Sequence, residues 1–262
     1  MDLSLIMTDE KYEEVFKGKH ATPYFFDIKN GKGRALFYFG ARHSRDPKDE
    51  QWQTLKIFWE KFLAESSTPR IVLLEGNPLP GKIPAGDEAI RQYGESSVVI
   101  NLARELNIEI RWPEFDMTEE SQILVKQFDS ELVYYFYFVR SASAWIRAGN
   151  VGGFDEVINK AADATARRIP GAPTSLSSYE ATHQKLFGRP LNQNEIKTMQ
   201  RAIAPVFHDS IINDIARASS QLRNERIVLE AERYWNSGYS IFMLFGAAHA
   251  VVQEAALKTL GN

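Results

Sequence analysis

The sequence predicts an α/β fold in which a mainly parallel central sheet is flanked by helices, with a helical insertion before the last strand. Three observations lead to this prediction. Short apolar runs alternate with helical patterns up to residue 113, helical periodicity dominates from about 117 to 235, and a last apolar run precedes a closing helix. Strands that alternate with helices pair in parallel through right-handed crossovers. We therefore expect a single α/β domain over residues 1–262, with a helical insertion at 117–210.

The first two strands form a predicted hairpin. The runs "TPYFFDI" and "RALFYFG" flank "KNGKG", whose Asn30-Gly31 pair is a strong signal for a tight hairpin turn. The second run is apolar at every position from Ala35 to Phe39, which is typical of a strand buried on both faces. We therefore expect other elements to cover both faces of this strand.

A helix, a strand, a helix and a strand are predicted next. Asp46 has the character of an N-cap and Pro47 suits the first helical position, so an amphipathic helix is expected over 47–65. The apolar run "RIVLLEG" predicts a central strand, "ESSVVINLAREL" a helix and "NIEIRW" a strand that ends before Pro113. This alternation is the pattern of a parallel sheet.

The rest of the chain is mostly helical. The aromatic run from Tyr134 to Phe138 is expected to lie in a core, and apolar spacing predicts a long helix from about Ile211 to Trp235. The run "YSIFMLFG" then predicts the last strand, and "AVVQEAALKTL" predicts the closing helix.

Composition excludes several classes of function. The net charge is −3 and the basic residues are scattered, so no nucleic-acid partner is expected. No apolar run approaches the ~20 residues of a membrane span. The chain has no cysteine, which excludes disulfides and thiolate metal sites and fits a reducing compartment. We expect a cytoplasmic protein, and the sequence leaves its oligomeric state open.

Chemically capable side chains follow the predicted strands at their carboxyl ends. His43 and His249 each come three residues after a glycine, in "FGARH" and "FGAAH", while Glu75 ends the second buried strand and Glu114 follows the third. Ligands of open α/β sheets bind at the carboxyl ends of the strands. If these strands are parallel, two imidazoles and a carboxylate share one edge of the sheet. Glycine before each histidine would permit a tight turn, a positive φ or close approach of the backbone to a ligand.

Two imidazoles and one carboxylate form a common ligand set for a divalent metal ion with open positions. His43, His249 and Glu75 are therefore candidate ligands for Mn²⁺, Co²⁺ or Zn²⁺. Such an ion would lower the pKa of bound water toward ~7 and supply a nucleophile. Each histidine alone is also compatible with a structural, hydrogen-bonded role.

Further candidates lie near this edge. Arg223, on the predicted long helix, is placed to stabilise developing negative charge, although arginines on helices are usually solvated. Arg42, Asn224 and Glu114 are candidates for contact with the substrate. Glu95 is interpreted first as a first-turn residue that the helix dipole favours.

The motifs "GARH", "LLEG", "RNERI" and "GAAH", in this order, resemble the TraB/Tiki and erythromycin-esterase-like superfamily, which includes ChaN-like proteins. The matching pieces cover about sixty residues at the two ends of the chain, in the order that the family shows. The resemblance implies a hydrolase-type site with His43 and His249 as metal ligands or general base. Glu75 would be a ligand or acid/base partner, and Arg223 and Asn224 would support the site. The family often has an acid and a methionine where this chain has Asn224 and Ile227.

We therefore predict a hydrolase of ester or amide bonds, with a small-molecule or peptide substrate. Water would be activated by His43, Glu75 and His249 with a divalent metal ion, and Arg223 would act in catalysis. A metal-free esterase remains open, as does a protein that binds haem, a metal ion or a small ligand without turnover. A third alternative is an interaction module that has kept the fold and lost the chemistry.

Overall fold

Five strands form one sheet among the residues that the structure describes. A computed structural model describes residues 1–8, 11–13, 20–31, 33–76, 83–84, 86–147 and 152–261. The strands are β1 (Tyr24–Lys29), β2 (Ala35–Ala41), β3 (Arg70–Leu74), β4 (Glu109–Arg111) and β5 (Ser240–Gly246). They lie in the order β1-β2-β5-β3-β4, and all neighbours pair in parallel except the antiparallel hairpin of β1 and β2. The fold class is thus α/β with a mainly parallel sheet, as predicted.

Helices connect and cover these strands, and a long helical region precedes β5. The helices are α1 (Gln51–Glu65), α2 (Gly86–Tyr93), α3 (Glu95–Glu105), α4 (Met117–Leu124), α5 (Ser130–Arg147), α6 (Phe154–Arg168), α7 (Leu176–Phe187), α8 (Ile196–Ala202), α9 (Ile211–Asn236) and α10 (Ala247–Lys258). Within the described ranges, none of them combines the length and the apolarity that a bilayer span requires.

The chain divides into two units, and the first contains the sheet. This unit comprises Met1–Glu114 and Arg223–Asn262. Every residue of β2 and β5 is buried, so both strands are covered on both faces. On one face, Phe37 and Phe242 pack against Phe58 and Phe62 of α1, with ring centroids 5.0–6.1 Å apart. Large aromatic side chains thus fix α1 on the sheet by burial of apolar surface.

The second unit, Phe115–Leu222, is helical and has its own core. It contains α4 to α8 and the part of α9 up to Leu222. Tyr135 to Phe138 are buried as predicted, while Tyr134 is partly exposed. Phe138 stacks on Tyr179 of α7 with ring centroids 4.3 Å apart and an interplanar angle of 11°. The helical insertion was predicted at 117–210, whereas this unit, Phe115–Leu222, begins two residues earlier and ends twelve residues later.

One predicted helix boundary is wrong. α1 begins at Gln51 with Glu50 as N-cap, whereas Asp46 and Pro47 were expected to start the helix. The Asp46 carboxylate accepts a hydrogen bond from the Lys48 N–H at 2.9 Å, and the Asp46 carbonyl accepts one from the Asp49 N–H at 3.1 Å. Aspartate forms such local turns as readily as it caps helices, and here the turn delays the helix by four residues.

Candidate active site

The carboxyl ends of three neighbouring parallel strands bring the predicted site together. β5 lies between β2 and β3, with Ala41 opposite Gly246 and Leu74 opposite Leu244. His43 follows β2, Glu75 follows β3, and His249 lies in the first turn of α10 directly after β5. The two copies of Gly-x-x-His therefore sit on adjacent strands, and each delivers its imidazole to the same edge.

Glu75 lies between the two imidazoles. Its Oε2 is 4.0 Å from His43 Nε2, and its Oε1 is 3.9 Å from His249 Nε2. The Gly246 N–H donates a hydrogen bond to Oε2 at 2.6 Å, and the Glu75 N–H donates to the Leu244 carbonyl at 3.0 Å. Backbone groups of β5 thus hold the carboxylate with one oxygen facing each histidine.

The surroundings of Glu75 keep its carboxylate ionised. Burial acts to raise the pKa of this group, but the positive charges that His249, Arg223 and His43 carry at low pH and the hydrogen bond from the Gly246 N–H outweigh burial, and the pKa falls to about 2. Opposite charges and a donated hydrogen bond both favour the charged form. The site therefore contains a fixed negative charge at neutral pH.

His43 is held by Glu95, the first residue of α3. Its Nδ1 lies 2.5 Å from Glu95 Oε1, and its side chain is 64% exposed while that of Glu95 is 14% exposed. A carboxylate only accepts hydrogen bonds, so the proton of the neutral imidazole resides on Nδ1. His43 Nε2 is then a base that faces Glu75. Glu95 was a weaker candidate that was interpreted first as a first-turn residue, and the structure adds its contact with His43.

His249 is held by a buried chain of hydrogen bonds. Its Nδ1 lies 2.7 Å from Asn224 Oδ1, which also accepts from Gln253 Nε2 at 2.7 Å. The Tyr38 hydroxyl donates to Gln253 Oε1 at 3.0 Å. Burial lowers the pKa of His249, and the guanidinium of Arg223 lowers it further against the opposing effect of Glu75 and Glu114. His249 is therefore neutral at pH 7, with its Nε2 facing Glu75.

Arg223 connects Glu75 to a second carboxylate. Its Nε donates to Glu114 Oε1 at 2.7 Å, and its terminal nitrogen lies 3.4 Å from Glu75 Oε1. Glu114 also accepts a hydrogen bond from the Gly76 N–H at 2.5 Å, and its side chain is 6% exposed. Glu114 thus anchors Arg223 against Glu75.

Arg42 stands apart from this group in its described contacts. Its guanidinium pairs with Asp49 at 2.8 Å and is about half exposed, and its backbone N–H donates to Gln51. The structure therefore brings together His43, Glu75, His249, Arg223, Glu114 and Asn224, whereas Arg42 contacts the start of α1.

Close approach explains the glycines of the repeated motif. A Cβ on Gly246 would lie 2.8 Å from His43 Nε2, and a Cβ on Gly40 would lie 2.7 Å from both Ala250 Cβ and the Tyr24 carbonyl oxygen. Gly246 has φ −59°, so the predicted positive φ is not what requires it. Gly246 makes room for the imidazole of His43, and Gly40 makes room for the packing of α10 against β2.

The donor types of this edge suit a divalent ion, but their spacing is wide. Adjacent ligands of a tetrahedral zinc ion with bonds of about 2.0–2.1 Å lie about 3.3 Å apart. The imidazole nitrogens stand 3.9 and 4.0 Å from the oxygens of Glu75. In the described part of the chain, no group of three or more histidine, aspartate or glutamate side chains is arranged to hold a metal ion. As placed, the residues do not form a ready metal site.

Three contributing residues were not recognised from the sequence in these roles: Glu95, Tyr38 and Gln253. Tyr38 lies in a run of apolar residues and has the pattern of a core residue. Gln253 carries a usable signal, because it is the polar residue four positions after His249 on a predicted helix, and residues at this spacing share a face.

Comparisons with protein-family models, with curated proteins and with solved structures found no match.

Proposed function

We propose that this protein is a hydrolase that activates water at the edge formed by His43, Glu75 and His249 and cleaves an ester or amide bond. The observation that carries the proposal is the ionised carboxylate of Glu75 between two imidazoles. Both imidazoles have their Nδ1 committed to an acceptor, so that both Nε2 atoms face Glu75 as bases. An unprotonated imidazole nitrogen beside a fixed carboxylate is suited to general base catalysis.

The gaps between Glu75 and the imidazoles suit a bridging water molecule. At 4.0 Å, His43 Nε2 and Glu75 Oε2 are too far apart for a direct hydrogen bond. A water about 2.8 Å from both atoms fits this span with an angle of about 90° at its oxygen. Such a water donates both hydrogens, to Oε2 and to Nε2, and keeps its lone pairs free for attack on a carbonyl carbon.

The proposed reaction assigns a role to each group. The water oxygen attacks the carbonyl carbon while His43 Nε2 takes the proton, and Glu95 stabilises the imidazolium through Nδ1. When the tetrahedral intermediate collapses, His43 returns that proton to the leaving alcohol or amine. His43 is largely exposed, so it is accessible to a substrate from solvent. Arg223 and Glu114 act through Glu75, which they hold in place and ionised.

A hydrolysis screen tests the proposal. Wild type is assayed against a panel of activated esters, lactones and fluorogenic amides, beside His43→Ala, Glu75→Gln and the histidine control His20→Ala, whose ring contacts Tyr12 and the Ala21 carbonyl. Loss of a general base lowers rates by about 10²–10⁴-fold. We expect this loss in His43→Ala and Glu75→Gln and wild-type rates in His20→Ala. Equal rates in all four proteins, or cleavage of no substrate, would refute the proposal.

Divalent metal binding is the second candidate function. In the described contacts of this cluster, Glu75 and Glu114 pair with the guanidinium of Arg223 and Glu95 contacts His43, so three carboxylates stand against one guanidinium. Ligated histidines commonly donate their other N–H to an acceptor, as both do here. His43, His249 and Glu75 would hold Mn²⁺, Co²⁺ or Zn²⁺, and the ion would lower the pKa of bound water.

Thermal unfolding of metal-stripped protein tests this candidate. An ion at ~100 times its dissociation constant adds about 2.7 kcal/mol to the unfolding free energy. Metal binding at this edge predicts a stabilisation by at least one ion in wild type that both His43→Ala and His249→Ala lack. Identical midpoints with and without every ion would exclude it. A strong Soret band in purified protein would instead indicate the haem carrier that was left open above.

We also propose membership of the TraB/Tiki and erythromycin-esterase-like superfamily. The proposal is supported by the four motifs in the order named above and by the adjacency of the two strands that carry Gly-x-x-His.

A further inference from the structure

We propose that Tyr38 and Gln253 are positioning residues that fix the tautomer of His249, so that its unprotonated nitrogen faces Glu75. The catalytic consequence of this inference rests on the proposed function, whereas the tautomer itself does not. Four residues form a chain of hydrogen bonds: Tyr38 of β2, Gln253 and His249 of α10, and Asn224 of α9. Tyr38 and Gln253 are fully buried and Asn224 is 3% exposed.

The tautomer of His249 needs to be set, because its immediate surroundings favour the wrong one. His249 Nε2 lies 3.9 Å from the ionised Oε1 of Glu75. A negative charge at this distance attracts a proton to Nε2. A proton on Nε2 would turn the second basic nitrogen that faces Glu75 into a hydrogen-bond donor. The opposing group is Asn224, whose Oδ1 accepts from Nδ1 at 2.7 Å.

Asn224 alone does not decide the tautomer, because an amide can present either its oxygen or its NH₂ group. Rotated by half a turn, Asn224 would donate to Nδ1 and the proton of His249 would move to Nε2. Gln253 opposes this rotation, since its Nε2 donates to the same Oδ1 at 2.7 Å. Gln253 is itself an amide, however, and could rotate together with Asn224.

Tyr38 determines the direction in which the hydrogen bonds of this chain donate. Its hydroxyl is buried and donates a hydrogen bond to Gln253 Oε1. Burial raises the pKa of Tyr38, and Glu75 and Glu114 raise it further, so the hydroxyl keeps its proton. If Gln253 and Asn224 both rotated, the Tyr38 O–H would face the NH₂ group of Gln253, which is a donor, and would lose the acceptor that it has here. A buried donor without a partner costs about 1–3 kcal/mol. That cost opposes the arrangement in which both amides are rotated.

The tautomer can be read directly by NMR of ¹⁵N-labelled imidazole rings at pH 8, with the His249 signals assigned from their absence in His249→Ala. Wild type is expected to show the Nδ1–H form. Tyr38→Phe removes only the hydroxyl, and the Nε2–H form is expected to appear. Gln253→Met removes the hydrogen bonds of the amide to Tyr38 and Asn224, and the Nε2–H form is expected to appear here too. Tyr179→Phe is the matched control, since it removes a hydroxyl that donates to the Pro173 carbonyl in the other unit.

A rescue variant tests the route through Asn224. An aspartate offers only acceptor atoms, so Tyr38→Phe combined with Asn224→Asp should return His249 to the Nδ1–H form. Persistence of pure Nδ1–H in both Tyr38→Phe and Gln253→Met would overturn the inference. Failure of the double variant to restore Nδ1–H would overturn it as well.

The activity readout separates this inference from the proposed function. Loss of an orienting partner costs about 10–100-fold where such groups hold a functional histidine. Tyr38→Phe should lower kcat by this factor with an unchanged KM. If the tautomer shifts but wild type hydrolyses no substrate, the positioning role stands and the proposed function fails.

Discussion

The variant Gly246→Ala should disturb the site while leaving the fold stable. The added Cβ would lie 2.8 Å from His43 Nε2, whereas non-bonded contacts are favourable at about 3.5–4.0 Å. The imidazole must therefore move by about 1 Å, which its exposed position allows. Gly246 has φ −59° and ψ 149°, which alanine adopts without strain. We expect a change of less than about 1 kcal/mol in the unfolding free energy, and a misplacement of this size lowers catalysis by about 10²-fold.

Gly40→Ala is the matched control, because its Cβ meets backbone and methyl groups that cannot move away. The contacts would be 2.7 Å to the Tyr24 carbonyl oxygen and to Ala250 Cβ, and 2.8 Å to Ala247 Cα. Overpacking of this kind lowers the free energy of unfolding by about 1–3 kcal/mol. Each kcal/mol lost lowers Tm by about 2–4 °C at this chain length. Thermal unfolding, ring signals of His43 in NMR and the hydrolysis assay are measured for both variants. Unchanged His43 signals in Gly246→Ala, or an equal loss of Tm in the two variants, would refute this reasoning.

Two further predictions concern the charge at the site and the second core. The pKa of Glu75 falls from 4.5 to about 2 on folding, so its stabilisation is present above pH 4.5 and is lost as the pH falls toward 2. The difference in unfolding free energy between wild type and Glu75→Gln should thus shrink from pH 5 to pH 2.5 by an amount on the order of 2 kcal/mol. A constant difference in urea titrations would contradict this prediction. Phe138→Ala should lower the free energy of unfolding by about 3–5 kcal/mol, since its buried ring stacks on Tyr179. Phe25→Ala should lower it much less, because Phe25 is half exposed. Equal unfolding curves for these two variants would count against a well-packed second core.

The strands were predictable because each has a local pattern, but their order was not. The runs of β2, β3 and β5 are apolar and bounded by glycine or proline, and this signal does not depend on the rest of the chain. The position of β5 between β2 and β3 depends on pairing between distant segments. The sequence therefore predicted that histidines and a carboxylate follow strands, and the structure supplied the adjacency that brings them to one edge.

Residues around the histidines were harder to predict, because their roles depend on where side chains point. Glu95 has the ordinary composition of a helix start, and its carboxylate contacts His43 because of the entry geometry at Gly94, whose φ is 62°. Arg42 illustrates the opposite case. It adjoins His43 in sequence, yet its guanidinium pairs with Asp49. Neighbouring residues in an extended segment point in different directions, and sequence proximity does not determine which of them faces a site.

The position of β5 also has a consequence for biosynthesis. Ala35 and Ser240 contact each other across 205 residues, so β2 and β3 leave the ribosome long before the strand that belongs between them. At about 5–20 residues per second, the intervening ~165 residues take roughly 10–30 s to synthesise. Throughout this interval two apolar strands present open edges, which are the surfaces on which chains aggregate. Synthesis that ends before residue 240 therefore produces a chain that lacks the centre of its sheet.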